Sequence, residues 1–415
     1  MALTAPQIDK VETSLKTGSY RTDPYPTYRT LRTEAPVYHS PAWNGWVVTR
    51  HADVETVLNH PEQFTAVGRL SKSIEHLDQE VLRQIEPSVA QFAAGLQHTD
   101  PPDHTRIHKL VNRALTPAVV NRMADQIQAF ADELLAPVLP TGQCDLIQDF
   151  AEPLPVRVLG HLFGFTAEEC ERFRRWDDDF VALLGSRSGC PNAVGQARDS
   201  VAAQSAWLAE VTQRRRREPR DDLFGMLVQG LDSGQLLNAA ELHGTYVAIL
   251  IGGHETTTGL ISSAMMWLAR HPDQRDRLRK DPALMPVAIE EFLRYESPLQ
   301  IISRVATETS TLGGVTLPKG DLVMAMLGAA NRDDAVFKDP DRLDITRRPN
   351  RHVAFGSGVH FCIGAQLARV EARVALTTLL RHMPDFRVTA PQMAWRRNDI
   401  FRVLESLPVS FEAVP

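Results

Sequence analysis

Cys362 has the most chemically loaded setting in the chain. It lies in the run Phe355-Gly356-Ser357-Gly358-Val359-His360-Phe361-Cys362-Ile363-Gly364, and Ala365-Gln366-Leu367-Ala368-Arg369 follows as a strong helix opening. A cysteine on a glycine-rich turn before a helix meets free backbone N–H groups and the positive end of the dipole. Both favour thiolate over thiol. The glycines permit positive φ and let backbone approach a bulky planar group. A thiolate presented in this way can be an axial ligand to haem iron. Three other readings compete. A buried inert cysteine leaves the surrounding glycines unexplained. Zinc could use His352, His360 and Cys362, but no second Cys or His pair stands at finger spacing. A nucleophile elbow needs glycine two residues before the nucleophile, where His360 stands, so hydrolase chemistry is disfavoured.

A second chemical segment is Gly252-Gly253-His254-Glu255-Thr256-Thr257-Thr258. It falls inside the stretch Leu237 to His271, which reads as one helix of about 50 Å, apolar nearly all round at its middle as in a helix crossing a core. β-Branched residues after two glycines are poor helix material. A buried carboxylate among hydroxyls is costly unless used or paired, and threonine can bond back to the preceding turn and bend a helix. A local widening able to hold water or dioxygen is one reading. A kink with satisfied polar groups explains the segment equally well.

These residues need a scaffold, and the composition supplies one. The 415 residues are 43% hydrophobic and 23% charged, an ordinary globular balance that excludes disordered, collagen-like and disulfide-scaffold chains. Lys+Arg number 45 against 51 Asp+Glu, a net charge of −6, which disfavours non-specific nucleic-acid binding. Cys144, Cys170, Cys190 and Cys362 are widely spaced with no CxxC, as in a reducing cytosol. Neither a signal peptide nor an apolar run of roughly 20 residues is present, so a cytoplasmic protein without membrane or nucleic-acid partner is expected.

Helical periodicity dominates from Pro117 to about Arg270, as in Met123, Ile127, Phe130, Leu134 and Leu135. Asp222 and Asp281 mark helix starts, and Pro272 and Pro384 stops. Strand-like runs are few: Trp46–Thr49, Val315–Leu317 and Val388–Thr389. The segment from Arg332 to Gly358 is long for a structureless loop and is expected to be tightly tied down. The fold class is mainly α: one large α-rich domain over 1–415 with a small β lobe, residues 1–20 forming a loosely ordered arm.

Phe355, Gly358, His360, Cys362 and Gly364 form the pattern FxxGxHxCxG, which resembles the haem-binding signature of bacterial soluble cytochromes P450. Gly252–Thr256 resembles that family's oxygen-activation motif, and Glu291-Phe292-Leu293-Arg294 its ExxR motif. The resemblance spans about Thr22 to the C-terminus, with the motifs in the family's order. It implies an α-rich cytochrome P450 fold, haem b as cofactor, and Cys362 as the iron ligand. It implies that Thr256 holds a hydrogen-bonded water near bound dioxygen and that Glu255 relays protons. Glu291, Arg294 and Arg347 would lock the haem-binding core. His104, Arg304 and His360 would meet the haem propionates. The family usually has arginine where this chain has His108, which puts one propionate contact in doubt.

The implied activity is a monooxygenase inserting one oxygen atom from O2 into a small to medium apolar organic substrate: a terpenoid, steroid, fatty acyl chain or polyketide. Electrons would come from a ferredoxin or flavodoxin and an NAD(P)H reductase, docking on a basic face made by Arg106, Lys109, Arg113, Arg369 and Arg373. The expected state is a monomer. The substrate cavity would draw on 68–97, Val181–Gly195, Ile249–Thr257, Leu299–Ser303 and Ile400–Phe401, with Gln300 and Asn398 as polar anchors. A peroxide-driven haem-thiolate enzyme and a non-catalytic haem-binding or gas-sensing protein are the alternatives. Arg214–Arg217 reads as a solvated helix end.

Overall fold

Helices form where apolar side chains recur at three- and four-residue spacing. Ala124–Leu135 buries Ile127, Ala131, Leu134 and Leu135 on one stripe. The computed structural model describes residues 4–185 and 191–413; side chains 5, 6, 177, 178, 180–185, 191–194 and 197 lie outside that description. Cys190 and most of the expected Val181–Gly195 cavity segment are therefore outside it too. Three clusters of buried side chains hold the chain together. A large one lies among the helices, and two smaller ones flank a sheet.

The sheet orders its strands Val37–Ser40, Gly45–Val48, Leu322–Met326, Ile301–Ala306 and Phe64–Thr65. Only Gly45–Val48 against Leu322–Met326 is parallel. Every residue of Leu322–Met326 is buried. A strand covered on both faces shows no alternation, so its run is indistinguishable from a helix segment by period. A three-stranded sheet joins Gln143–Asp145, Pro408–Ser410 and Arg387–Val388. The β lobe is thus small, as expected, but has more strands than the three apolar runs announce.

The central helix runs from Ala239 to Arg270, 32 residues. Asn238 caps it by accepting the Glu241 N–H at 3.0 Å. It continues unbroken through Gly252–Thr258, so the expected widening does not interrupt it. Asp222 caps Leu223–Asp232, accepting the Gly225 N–H at 2.8 Å. The arginine run is corrected at one position. Arg215 is buried and donates to the Phe163 and Gly164 carbonyls at 3.1 and 2.8 Å beside Asp222, because the helix end docks rather than projecting into water.

The first twenty residues also depart from expectation. Ala5–Thr17 is a helix whose Val11 and Leu15, one turn apart, are buried with Tyr20 and Tyr28. The Tyr20 hydroxyl donates to Asp399 at 2.6 Å, Arg21 pairs with Asp399 at 2.7 Å, and Arg402 donates to the Arg21 carbonyl at 2.6 Å. The two ends of the described chain are clasped together.

The segment before the cysteine loop is tied down by one carboxylate. Glu291 and Arg294, one turn apart on Met285–Tyr295, are both fully buried and bonded at 2.7 and 2.8 Å. Arg347 reaches Glu291 at 3.1 Å, and the Asp344 N–H and Asn350 amide donate to it at 2.9 and 3.2 Å. Arg294 spends its remaining donors on the carbonyls of Asn331, Pro340 and Arg342. Every neighbour of Glu291 is a donor, so removing it strands buried positive charge. Glu291→Leu is expected to cost about 3–5 kcal/mol, seen as lost soluble yield and a lowered melting temperature. A melting curve overlaying the parent's would refute this.

Candidate functional site

The cysteine loop is shaped by its backbone. The Cys362 N–H donates to the Phe355 carbonyl at 2.9 Å, and Phe361 N–H to Gly358 carbonyl at 3.0 Å. Gly358 needs to be glycine: its φ is +69°, and a Cβ there would stand 2.7 Å from the Leu58 carbonyl oxygen. Gly364 does not share this need, since its φ is −87°. It stands at the start of the helix Ala365–His382, where its N–H reaches the cysteine. Phe355 packs under the Arg369 guanidinium at 4.5 Å, and Arg369 pairs with Glu290 at 2.7 Å.

Cys362, Gly364, Phe355 and His360 line a cavity of about 370 Å³. Gly252, Gly253, Thr256 and Thr257 of the central helix line the same cavity. The Thr256 hydroxyl donates to the Gly252 carbonyl at 2.5 Å, the back-bond its spacing predicts. At Gly252 a Cβ would meet nothing within 4 Å, so the helix surface there is open space.

Glu255 is not where the pairing with Thr256 implies. Successive helix residues are turned by about 100°, so Glu255 points away from the cavity lining. It is buried and accepts from Arg396 at 3.1 and 3.3 Å. Arg396 also pairs with Glu152 at 2.6 Å, and Glu152 with Arg174 at 3.1 Å. Glu152, Arg174 and Arg396 line a second, open cleft. The acid and the alcohol thus stand back to back, one toward the cleft and one toward the cavity.

The Cys362 thiol departs from its expected ionisation. Burial pushes it up, and the Gly364 N–H and Arg369 charge pull it down without prevailing. A cation bound directly to the sulfur would favour the thiolate here. The cavity's other end carries the complementary need. Arg304 is 3% exposed and held down to about 10 by burial, and Arg69 is held down to about 9 by burial and by Arg304. Asp100 is the neighbouring anion, already accepting from Thr65, the Ala66 N–H and His360. A cavity with a sulfur on its wall and uncompensated guanidinium groups fits a metallated macrocycle bearing carboxylates.

The histidines gather here as expected, but as neutral rings. The His104 and His360 centroids lie 4.3 Å apart and those of His104 and His108 5.4 Å. Burial and nearby cations hold His104 down to about 4, and burial lowers His360 and His108. They can donate N–H groups; Arg69 and Arg304 carry the standing charge. His352 pairs with Glu290 at 3.0 Å, and among the described residues no His, Cys, Asp and Glu group could hold a metal ion alone.

Other expectations are corrected by hydrogen bonding. Gln300 accepts from the Tyr28 hydroxyl at 2.9 Å and donates to the Ser297 carbonyl at 2.6 Å. Asn398 accepts the Ile400 and Phe401 N–H groups at 2.8 Å. Neither lines the cavity. The basic face is also reduced. Arg106 is forked onto Glu241 at 2.8 Å, while Lys109, Arg113 and Arg373 are exposed. Four residues went unseen in the sequence: Arg69, His98, Arg396 and Glu371. The last lines the cavity with its carboxyl buried, which holds it well above the usual carboxylate range. Only the position of Glu371 on the helix after Cys362 could have drawn attention to it.

Comparison with known proteins agrees with this arrangement. A family model described as Cytochrome P450 matches residues 47–399. Cytochrome P450 107B1 of Saccharopolyspora erythraea is 40% identical over 399 residues, 94% of this chain and 96% of that protein. Vitamin D(3) 25-hydroxylase of Pseudonocardia autotrophica is 38% identical over 416 residues, 99% of this chain and 98% of that protein. The structure of P450BioI with hexadec-9Z-enoic acid ligated acyl carrier protein matches with a TM-score of 0.88 at 34% identity, covering 95% of this chain and 100% of that one. With the cysteine cavity and the signature around it, these likenesses place the chain in the cytochrome P450 family of haem-iron monooxygenases.

Proposed function

We propose that this chain holds haem b through Cys362 and inserts one oxygen atom from O2 into a small to medium apolar organic substrate. The observation that carries the reading is the single cavity lined by Cys362, by Gly252 and Thr256, and by Arg69 and Arg304. Bound haem would supply dioxygen reduction and the oxidising power for a C–H bond or alkene. The chain's own residues do the rest. Gly358 and Phe355 shape the loop that presents the sulfur. Thr256, whose one hydroxyl hydrogen is anchored on the Gly252 carbonyl, offers an oxygen on the cavity wall that can accept from a water. Glu255 receives protons at its carboxylate from the cleft side, with Arg396 holding it in place. Delivery of a proton by positioned groups is general-acid work.

Leu70, Ile74, Phe92, Leu159 and Phe401 give the cavity an apolar lining, which suits a terpenoid, steroid, fatty acyl chain or polyketide. Relatives named for vitamin D(3) and acyl carrier protein chemistry fall within that range. Electrons would come from a ferredoxin or flavodoxin served by an NAD(P)H reductase. Val359 and Phe361 are exposed on the cysteine loop, Arg373 is exposed on the helix that follows it, and Lys109 is exposed on Asp103–Asn112, the helix whose His104 ring meets His360 of the loop. Such a mixed apolar and basic surface suits an acidic carrier, with association weakened by salt. Among the described residues no helix is long and apolar enough to cross a membrane. The chain would work as one domain and as a monomer.

Cys362→Ala is expected to abolish the red-shifted Soret band of the ferrous carbon monoxide complex; a retained band removes Cys362 as the ligand. Thr256→Ala is expected to divert roughly half or more of the consumed NAD(P)H to hydrogen peroxide. Unchanged coupling on a turned-over substrate counts against the hydroxyl's role. Turnover with peroxide alone at the full rate would favour the peroxygenase alternative, and haem loading without any turnover would favour a sensor.

A further inference from the structure

Arg69 opens the short helix Arg69–Ile74, directly after Gly68. Its Nε donates to His98 Nδ1 at 3.2 Å, its Nη2 to the Gln97 carbonyl at 3.1 Å, and its Nη1 to the Ser303 carbonyl at 3.4 Å. An arginine always donates, so His98 Nδ1 is the acceptor and its Nε2 carries the proton. The Gln97 amide, 3.1 Å from His98 Nε2, must then present its oxygen to that proton. Arg69 is therefore held on three sides by neutral acceptors, with no carboxylate among them.

Its neighbour sharpens the problem. Arg304 donates to the same Ser303 carbonyl, at 2.9 Å, and lines the same cavity as Arg69. Two guanidinium groups share one backbone acceptor and repel each other. The nearby anion, Asp100, has its oxygens engaged by Thr65, Ala66 and His360. Burying unpaired charge is costly. Two standing cations without free counter-charge call for two negative groups in the cavity, and haem carries two propionates. A substrate carboxylate would exceed this count once both propionates are in place.

We propose that Arg69 is a haem-propionate ligand, supplying from the segment after Gly68 the fixed positive charge that His108 cannot. The inference rests on the haem-thiolate reading. Arg304 serves the other carboxylate, and His98 is a positioning residue that orients the Arg69 guanidinium from behind. His108 also lines the cavity, where burial disfavours its charged form.

The experiment compares purified holoenzymes by haem transfer to excess apomyoglobin and by the ferric/ferrous potential. A hydrogen bond to a charged group is worth about 1.5–3 kcal/mol. Arg69→Met should therefore speed haem loss about tenfold to a hundredfold and make the potential more negative. Arg69→Met combined with His108→Arg should return haem loss toward the parent rate, a rescue that a merely structural arginine would not give. If Arg69→Met yields no folded protein, Arg69→Lys keeps the charge and loses the fork, and should fall between parent and Met. Unchanged haem loss and potential in these variants, with Arg304→Met accelerating loss, would overturn the proposal. So would an Arg69→Met enzyme with parental haem retention that no longer gives a spin shift with long-chain carboxylic acids, since the arginine would then serve a substrate. A parent that shows no thiolate-ligated haem spectrum would instead sink the haem-thiolate reading itself.

Discussion

A half-buried sulfur on a cavity wall is poorly placed to carry a negative charge alone. Burial raises the Cys362 thiol, and neither the Gly364 N–H nor the Arg369 charge reverses that. A cation bonded to the sulfur would favour the thiolate, and much of the surrounding structure shapes how the sulfur is presented. Gly358 bends the loop, Phe355 and Arg369 brace it, and Glu291 fixes the segment that leads into it. The opposite need comes from two guanidiniums, Arg304 buried and Arg69 half-buried, that line the same cavity with only Asp100 as a neighbouring anion. One ligand with a soft-ligated metal and peripheral carboxylates answers both.

The central helix divides labour by angle. Thr256 and Thr257 line the cavity, while Glu255, one residue earlier, is turned onto Arg396. A carboxylate beside the reacting centre would burden an apolar cavity with charge. Turned by one residue, it keeps its ion pair and stays within one peptide unit of the alcohol.

Much of this was legible in the sequence, and the reasons are physical. Cys362 and its glycines, and Glu291 with Arg294, are local patterns in which spacing along the chain sets spacing in space. The central helix was bounded to within two residues for the same reason: its cap and its stop are local. Leu322–Met326 failed because a strand buried on both faces has no period. Arg69, His98 and Arg396 failed because their partners come from remote segments: Ser303 is 234 positions from Arg69, and Glu255 is 141 from Arg396. That Glu255 turns onto Arg396 could not be read from the sequence, because a helix's rotation is fixed only by what packs around it. The histidines expected near the propionates do stand together, with ring centroids of His104 and His360 4.3 Å apart, but that burial lowers each of them emerges only in the assembled cluster.

The clasp between Tyr20, Arg21, Asp399 and Arg402 bears on more than the termini. Asp399, Ile400 and Phe401 are cavity residues, and their far side is gripped by the N-terminal segment. A stretch expected to be a loosely ordered arm thus acts as a buttress behind the wall of the cavity.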